Sequence, residues 1–128
     1  MAYLLDTNAL VWLANGSAEI GRRTAALLEK QPVVYFTPLS IAELKIKEFI
    51  GRLSLPKDFL EQLTSEGLTS LDFETKHAWD VGRFESLIKH DPFDRLILAQ
   101  AATSKLKLIT SDEKLLGLGF DWVLNARD

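Results

Sequence analysis

The sequence predicts an α/β protein with three layers, a short and mainly parallel central sheet flanked by helices on both faces. Two observations carry this. Short strand-like runs at residues 3–5, 33–36, 68–71 (alternating), 106–110 and 122–124 are separated by stretches with helical periodicity, the pattern of a parallel sheet with crossover helices. The first two runs, Tyr3-Leu4-Leu5 and Val33 to Phe36, are continuously apolar, as strands covered on both faces must be.

At 128 residues the chain is expected to form one domain, residues 1–128, long enough to bury roughly two thirds of the surface its unfolded form exposes. No apolar run approaches the roughly 20 residues of a membrane span, and no basic leader precedes an apolar segment. The absence of cysteine excludes disulfides and thiolate metal sites and agrees with a cytoplasmic protein. A net charge of -3 argues against holding nucleic acid by bulk positive charge, and leaves room for a local basic patch beside an acidic site.

Taken in order, the first strand runs straight into Asp6, and Thr7 and Asn8 can cap a helix whose apolar face is Leu10, Val11, Leu13 and Ala14. Asn15-Gly16 closes it, and a second helix is expected over residues 17–30 until Pro32 breaks it. After the second strand, Thr37 is a cap residue and Pro38 takes the first helical position of a helix over residues 38–50. Its inward stripe is read as Leu39, Glu43, Ile46 and Ile50, with Lys45, Lys47 and Glu48 outside. A short helix over residues 56–66 leads to the third strand, and Asp72 or Thr75 caps a long helix to about residue 89, weakened by Gly82. Asp91, Pro92 and Asp94 then supply the cap, the first position and a dipole-facing acid of a helix to Thr103. The fourth strand is followed by Ser111-Asp112, which repeats the placement of Asp6. The helix opened there ends at Gly117 and Gly119, a last short strand covers residues 122–124, and the tail over residues 125–128 is expected to fray.

Four acids stand out by position: Asp6, Glu43, Asp94 and Asp112. Two follow strands, where ligand sites of open α/β sheets gather, and two lie on helices that begin near strand ends. If they share one edge of the sheet, at ~5 Å and an effective dielectric of about 20 each pair repels by about 3 kcal/mol, so something positive must compensate. Oxygen ligands without cysteine or a useful histidine pair suit Mg²⁺ or Mn²⁺ rather than Zn²⁺. Each acid also has a plainer reading: Asp6 as a helix cap, Glu43 neutralised by an arginine such as Arg95, Asp94 and Asp112 as first-turn carboxylates. Asp91 is assigned to capping. His77 and His90 share no motif and are read as surface residues, and Trp12, Phe49 and Trp79 as core or partner contacts.

The segments DTNALVWL from Asp6, SIAEL around Glu43, DPFDRLILAQA from Asp91 and TSDEKL around Asp112 occur in an order that resembles PIN-domain ribonucleases, in particular the VapC-type toxins of bacterial toxin–antitoxin pairs. The resemblance spans the chain and implies a PIN-like fold with Asp6, Glu43, Asp94 and Asp112 as the metal-binding acids, supported by Asn8, Ser40 and Ser111. It implies an endoribonuclease in which Mg²⁺ or Mn²⁺ activates water against a phosphodiester of structured RNA. Arg22, Arg23, Lys45, Lys47, Arg52 and Arg95 are candidates for holding flanking phosphates. It further implies a cytoplasmic homodimer and a small antitoxin that lays a helix into a groove, with Trp12, Phe49 and Phe59 as candidate groove residues. The competing class is a Mg²⁺-dependent phosphoaspartate phosphatase or receiver-like domain. Asp6-Thr7-Asn8 lacks the second acid such phosphatases place two residues on, and a receiver's adjacent acids after the first strand are missing. A binding module without catalysis leaves four inward acids unexplained.

Overall fold

The computed structural model describes residues 2–128. Tyr3–Leu5 forms β1, Val34–Phe36 β2, Leu68–Ser70 β3, Lys107–Thr110 β4 and Val123–Asn125 β5. These strands make one sheet in the order β3-β2-β1-β4-β5, with every pairing parallel. Thr7–Ala14 (α1), Arg22–Glu29 (α2), Pro38–Phe49 (α3) and Phe59–Ser65 (α4) precede Thr75–Trp79 (α5), a 3₁₀ segment at Asp80–Leu87, Pro92–Thr103 (α6) and Glu113–Leu116 (α7).

Alternation along the central strands produces the layers. Leu5 and Ile109 join a core with Leu10, Leu28, Leu44 and Leu63 of α1 to α4, whereas Leu4 and Leu108 join Phe84, Ile97, Leu98 and Leu115 on the other face. All four of these strand residues have no exposed surface, and burying each contributes about 2 kcal/mol. The chain builds outward from β1 through β2 to β3, then crosses back to place β4 on the other side of β1. The order therefore reverses between β1 and β4, and the crevice outside their carboxyl ends is where such a sheet leaves room for a ligand. Among the described residues no helix is long and apolar enough to cross a membrane.

Several boundaries differ from expectation. The second helix starts at Arg22 rather than at residue 17, because the Ser17 hydroxyl accepts the Glu19 N–H in a turn and buried Ile20 anchors the chain before Gly21. The expected long helix over residues 75–89 breaks after Trp79 into the 3₁₀ segment, where Phe84 adopts φ -115° and ψ 50° and turns its ring into the core beside Phe120. His77, expected at the surface, is buried: its Nδ1 accepts the Glu74 N–H at 2.8 Å, which leaves the proton on Nε2 to reach Ser104 Oγ at 3.0 Å. The tail does not fray. Ala126 is buried and donates its N–H to Thr110 O at 2.8 Å, while Gly21 N donates to Ala126 O and Thr24 N to Asp128 O, each at 2.9 Å. A Cβ on Gly21 would lie 2.0 Å from Asp128 O, so only glycine permits this approach.

Candidate active site

Asp6 leaves β1 in extended conformation and does two things at once. Its Oδ1 accepts the Ala9 N–H at 2.9 Å, capping α1, and its Oδ2 accepts the Thr110 hydroxyl at 2.6 Å. Asp6 is therefore a helix cap, and the cap fixes where its carboxylate points. Thr110, the last residue of β4, also accepts the Asp112 N–H at 3.0 Å, so one hydroxyl ties the two strand-end acids together. Asp112 caps α7 through Leu115 N at 3.0 Å.

Glu43 faces inward as expected, but on a different helical face. Ser40, Glu43 and Leu44 are buried and Lys47 half-buried, whereas Ile46 and Ile50 are 52% and 57% exposed. Thr7 donates its hydroxyl to Glu43 Oε1 at 2.6 Å and lies 3.0 Å from Ser40 Oγ. Lys47, expected outside, places Nζ 2.9 Å from Glu43 Oε2 one turn along α3. Lys47, not Arg95, neutralises Glu43; among the described residues Arg95 forms no salt bridge and its buried Nε has no partner.

Asp94 enters from the first turn of α6, capped by Asp91 through Phe93 N at 2.8 Å. His90, also expected at the surface, is half-buried here, with Nε2 3.3 Å from Asp94 Oδ2 and 3.2 Å from Asp112 Oδ2. Asp6, Glu43, Asp94 and Asp112 thus line one cleft of about 510 Å³ together with Lys47 and His90. Asn8 and Ser111 also line it, while Ser40 acts from behind through Thr7. Of the basic residues expected near phosphate, Lys47 is in the cleft wall and Lys114 joins it; Arg22, Arg23, Lys45, Arg52 and Arg95 are not part of that wall. Phe59 belongs to the core and Trp12 packs against it, whereas Phe49 and Trp79 are almost fully exposed.

Burial first, and the crowding of like charges second, sets the electrostatics of the cleft. Burial pushes Asp6 up from 3.8 to about 6, against the hydrogen bonds from Thr110 and Ala9 that hold it down, and Glu43 and Asp112 push it further up. Burial, then the charges of Asp112, Asp91, Asp6 and Glu43, push Asp94 up to about 7. Carboxylates raised this way, with Lys47 and the His90 ring drawn against them, form a donor set suited to a hard divalent cation. Sequence reasoning misses Thr7, His90, Glu113 and Lys114 in the cleft wall and Thr110 as the support behind Asp6 and Asp112, and it reaches Lys47 only as a phosphate contact. The pairing of Lys47 with Glu43 is detectable from its place one turn after an inward glutamate, and His90 from its place four residues before Asp94.

A family model for the PIN domain matches residues 3–120. No curated protein matches the chain in sequence at a significant level. Among solved structures, VapBC2 from Rickettsia felis bound to a DNA fragment from its promoter is similar at a TM-score of 0.69 and 20% identity, over 98% of this chain and 97% of that one. A toxin–antitoxin complex from Klebsiella pneumoniae gives 0.66 and 21%, over 97% of each chain. VapC20 of Mycobacterium tuberculosis, a toxin that cleaves the sarcin–ricin loop, gives 0.59 and 16%, over 94% of this chain and 98% of that one. At these identities the likeness is one of fold.

Proposed function

This chain belongs to the PIN-domain family, and from that premise we propose that residues 1–128 form one endoribonuclease domain, the toxin of a type II toxin–antitoxin pair, dependent on Mg²⁺ or Mn²⁺. The observation that carries the reading is the convergence of Asp6, Glu43, Asp94 and Asp112 on one cleft where the strand order reverses. Ion-pair networks that serve structure alone bury acids beside matched cations; here Asp91 and Glu113 join those four, so six acids line the cleft against two lysines, and two of the acids are displaced toward neutrality.

Asp6, Glu43, Asp94 and Asp112 would hold the ion, which supplies a lowered pKa for bound water and charge neutralisation at the phosphoryl oxygens. The chain supplies orientation. Ala9 N–H and Thr110 fix both oxygens of Asp6, Thr7 and Lys47 fix those of Glu43, and the α7 cap fixes Asp112. Lys47 and Lys114 place positive charge in the cleft wall, where they can take the phosphates flanking the scissile bond. The proposed substrate is structured RNA in the cytoplasm. The proposed partners are a second copy of the chain and an antitoxin, a reading supported by the solved relatives found as toxin–antitoxin complexes. Ile46, Phe49 and Ile50 of α3 and Leu60 of α4 stand exposed and are the apolar surface offered to that antitoxin.

The deciding experiment compares cleavage of a structured RNA pool by the wild type, Glu43→Gln and Asp94→Asn in Mn²⁺ and in EDTA. Cleavage is expected only from the wild type with Mn²⁺, while all three proteins give the same circular dichroism. Cleavage by both variants, or unaffected cleavage in EDTA, overturns the proposal.

A further inference from the structure

We propose that His90 Nε2 is itself a ligand of the divalent ion, so that the centre is a mixed nitrogen and oxygen site that selects Mn²⁺ over Mg²⁺. The inference rests on the reading that the acid cleft holds a divalent cation, and adds a residue and a selectivity to it.

His90 Nε2 and one oxygen each from Asp94 and Asp112 lie within 4.8 Å of one another. Neighbouring ligands about 2.1 Å from an octahedral ion stand about 3.0 Å apart. The observed 3.3 Å to Asp94 Oδ2 and 3.2 Å to Asp112 Oδ2 are close to that spacing before any ion is added. As hydrogen bonds the same contacts are poor. An Nε2–H has one proton, yet the nitrogen sits almost equally far from two carboxylate oxygens, and both distances exceed the roughly 2.7–2.9 Å of a charge-assisted bond. Elsewhere in the same cleft the chain achieves such bonds, at 2.6 Å for Thr110 on Asp6 and 2.9 Å for Lys47 on Glu43. A nitrogen that reaches one carboxylate only by a long hydrogen bond of 3.2 Å and stands 3.3 Å from the other is placed to share an ion with both.

The metal preference follows from the donor. Mg²⁺ keeps oxygen ligands and gives up water reluctantly, so an imidazole adds little to its binding. Mn²⁺ accepts imidazole more readily, and a nitrogen ligand tips a carboxylate site toward it.

The test uses the full chain, free of any histidine tag, stripped with EDTA and titrated with Mn²⁺ or Mg²⁺. Binding is read by electron paramagnetic resonance for Mn²⁺ and by competition for Mg²⁺. Electron spin-echo modulation then detects ¹⁴N coupled to bound Mn²⁺. The wild type is expected to show ¹⁴N coupling; His90→Gln should lose it and bind Mn²⁺ at least about tenfold more weakly, with Mg²⁺ affinity changed less than about twofold. His90→Ala repeats the measurement with a smaller side chain, and melting in EDTA confirms that both variants fold. Bound Mn²⁺ without ¹⁴N coupling in the wild type, or equal or tighter Mn²⁺ binding by both variants, overturns the inference. The first outcome leaves the ribonuclease reading standing if RNA is still cleaved. Conversely, ¹⁴N coupling in a protein that cleaves no RNA upholds the ligand and removes the nuclease, and failure of the wild type to bind Mn²⁺ overturns both.

Discussion

The substitution Asp6→Asn should make the metal-free protein more stable, against the usual outcome of altering a buried residue. The displacement of Asp6 from 3.8 to about 6 means that ionising it costs the folded state about 3 kcal/mol more than the unfolded chain. Asparagine has nearly the same shape, keeps an oxygen for the Ala9 N–H and removes the charge. It also turns an amide donor toward Thr110, whose hydroxyl must then accept from both that amide and the Asp112 N–H; losing the short bond from Thr110 costs about 1 kcal/mol. The balance is a gain of about 1–2 kcal/mol, or about 4–8 °C in melting temperature for a domain of this size. The assay is calorimetry in EDTA at pH 7.5 and again at pH 5. A raised pKa in an acid makes the loss of stability grow as pH climbs from 3.8 to about 6, so at pH 5 only about half of it has developed and the gain should shrink accordingly. With saturating Mn²⁺ the order should reverse, because the wild type gains binding energy that the variant lacks. A metal-free melting point that is unchanged or lowered at pH 7.5 refutes the claim that a buried, charged Asp6 costs the metal-free fold stability.

The other expectations follow from the same geometry. Since Asp6 and Asp94 are both pushed upward, to about 6 and about 7, the metal-free protein should melt progressively lower as pH rises from 5 to 8, and Mn²⁺ should flatten the trend; a metal-free melting point that rises over this range contradicts the raised values. Lys47→Met strands Glu43 without its cation and should lower the metal-free stability by about 1–2 kcal/mol, less than for a fully buried pair because the Lys47 side chain is 36% exposed. The same variant should bind Mn²⁺ severalfold more tightly and cleave RNA more slowly, measured by titration and initial rates; weaker Mn²⁺ binding would show that Lys47 does not compete for the ion's place. Gly21→Ala forces a Cβ against Asp128 O and should cost about 1–3 kcal/mol in urea denaturation, with little change if the C-terminal segment is free to move away.

The strand and helix succession was legible because its signals are local. Short apolar runs that end in cap residues define β1 into α1 and β4 into α7, and those same caps, Asp6 and Asp112, are strand-end acids. What local rules misplaced is concentrated on the residues that hold the site. An apolar stripe puts Ile46 and Ile50 inside and Lys47 outside, yet α3 is rotated so that Ser40, Glu43 and Lys47 face the cleft side while both isoleucines remain in solvent. Hydrophobic periodicity assumes that inward means apolar, and that assumption fails where a helix must present polar groups to a cleft. The contact of His90 with Asp112 was unreadable for another reason: it spans 22 residues and follows the 3₁₀ turn that interrupts the expected long helix. The buried tail is similar, since the Thr24 hydroxyl reaches Asn125 O across 101 positions.

These departures share a cause that bears on function. A helix that leaves two isoleucines half exposed and a phenylalanine almost fully exposed, while turning a glutamate and a lysine inward, gives up about 1 kcal/mol for each isoleucine and roughly 1.5–3 kcal/mol for the phenylalanine. Packing within the monomer explains part of that orientation, since it brings Leu44 and Ile41 against the core. Two further demands on α3 account for the rest: Glu43 reaches the cleft with Asp6, and the adjoining flank that carries Ile46, Phe49 and Ile50 is the one offered to the proposed antitoxin. One rotation of one helix satisfies both, so the residues that pack worst by the rules of a soluble monomer are those on the face proposed for the antitoxin. Joint substitution of Ile46, Phe49 and Ile50 by serine should therefore leave RNA cleavage intact and abolish co-purification with the antitoxin, and loss of cleavage with the antitoxin still bound would separate the two demands and refute their shared origin.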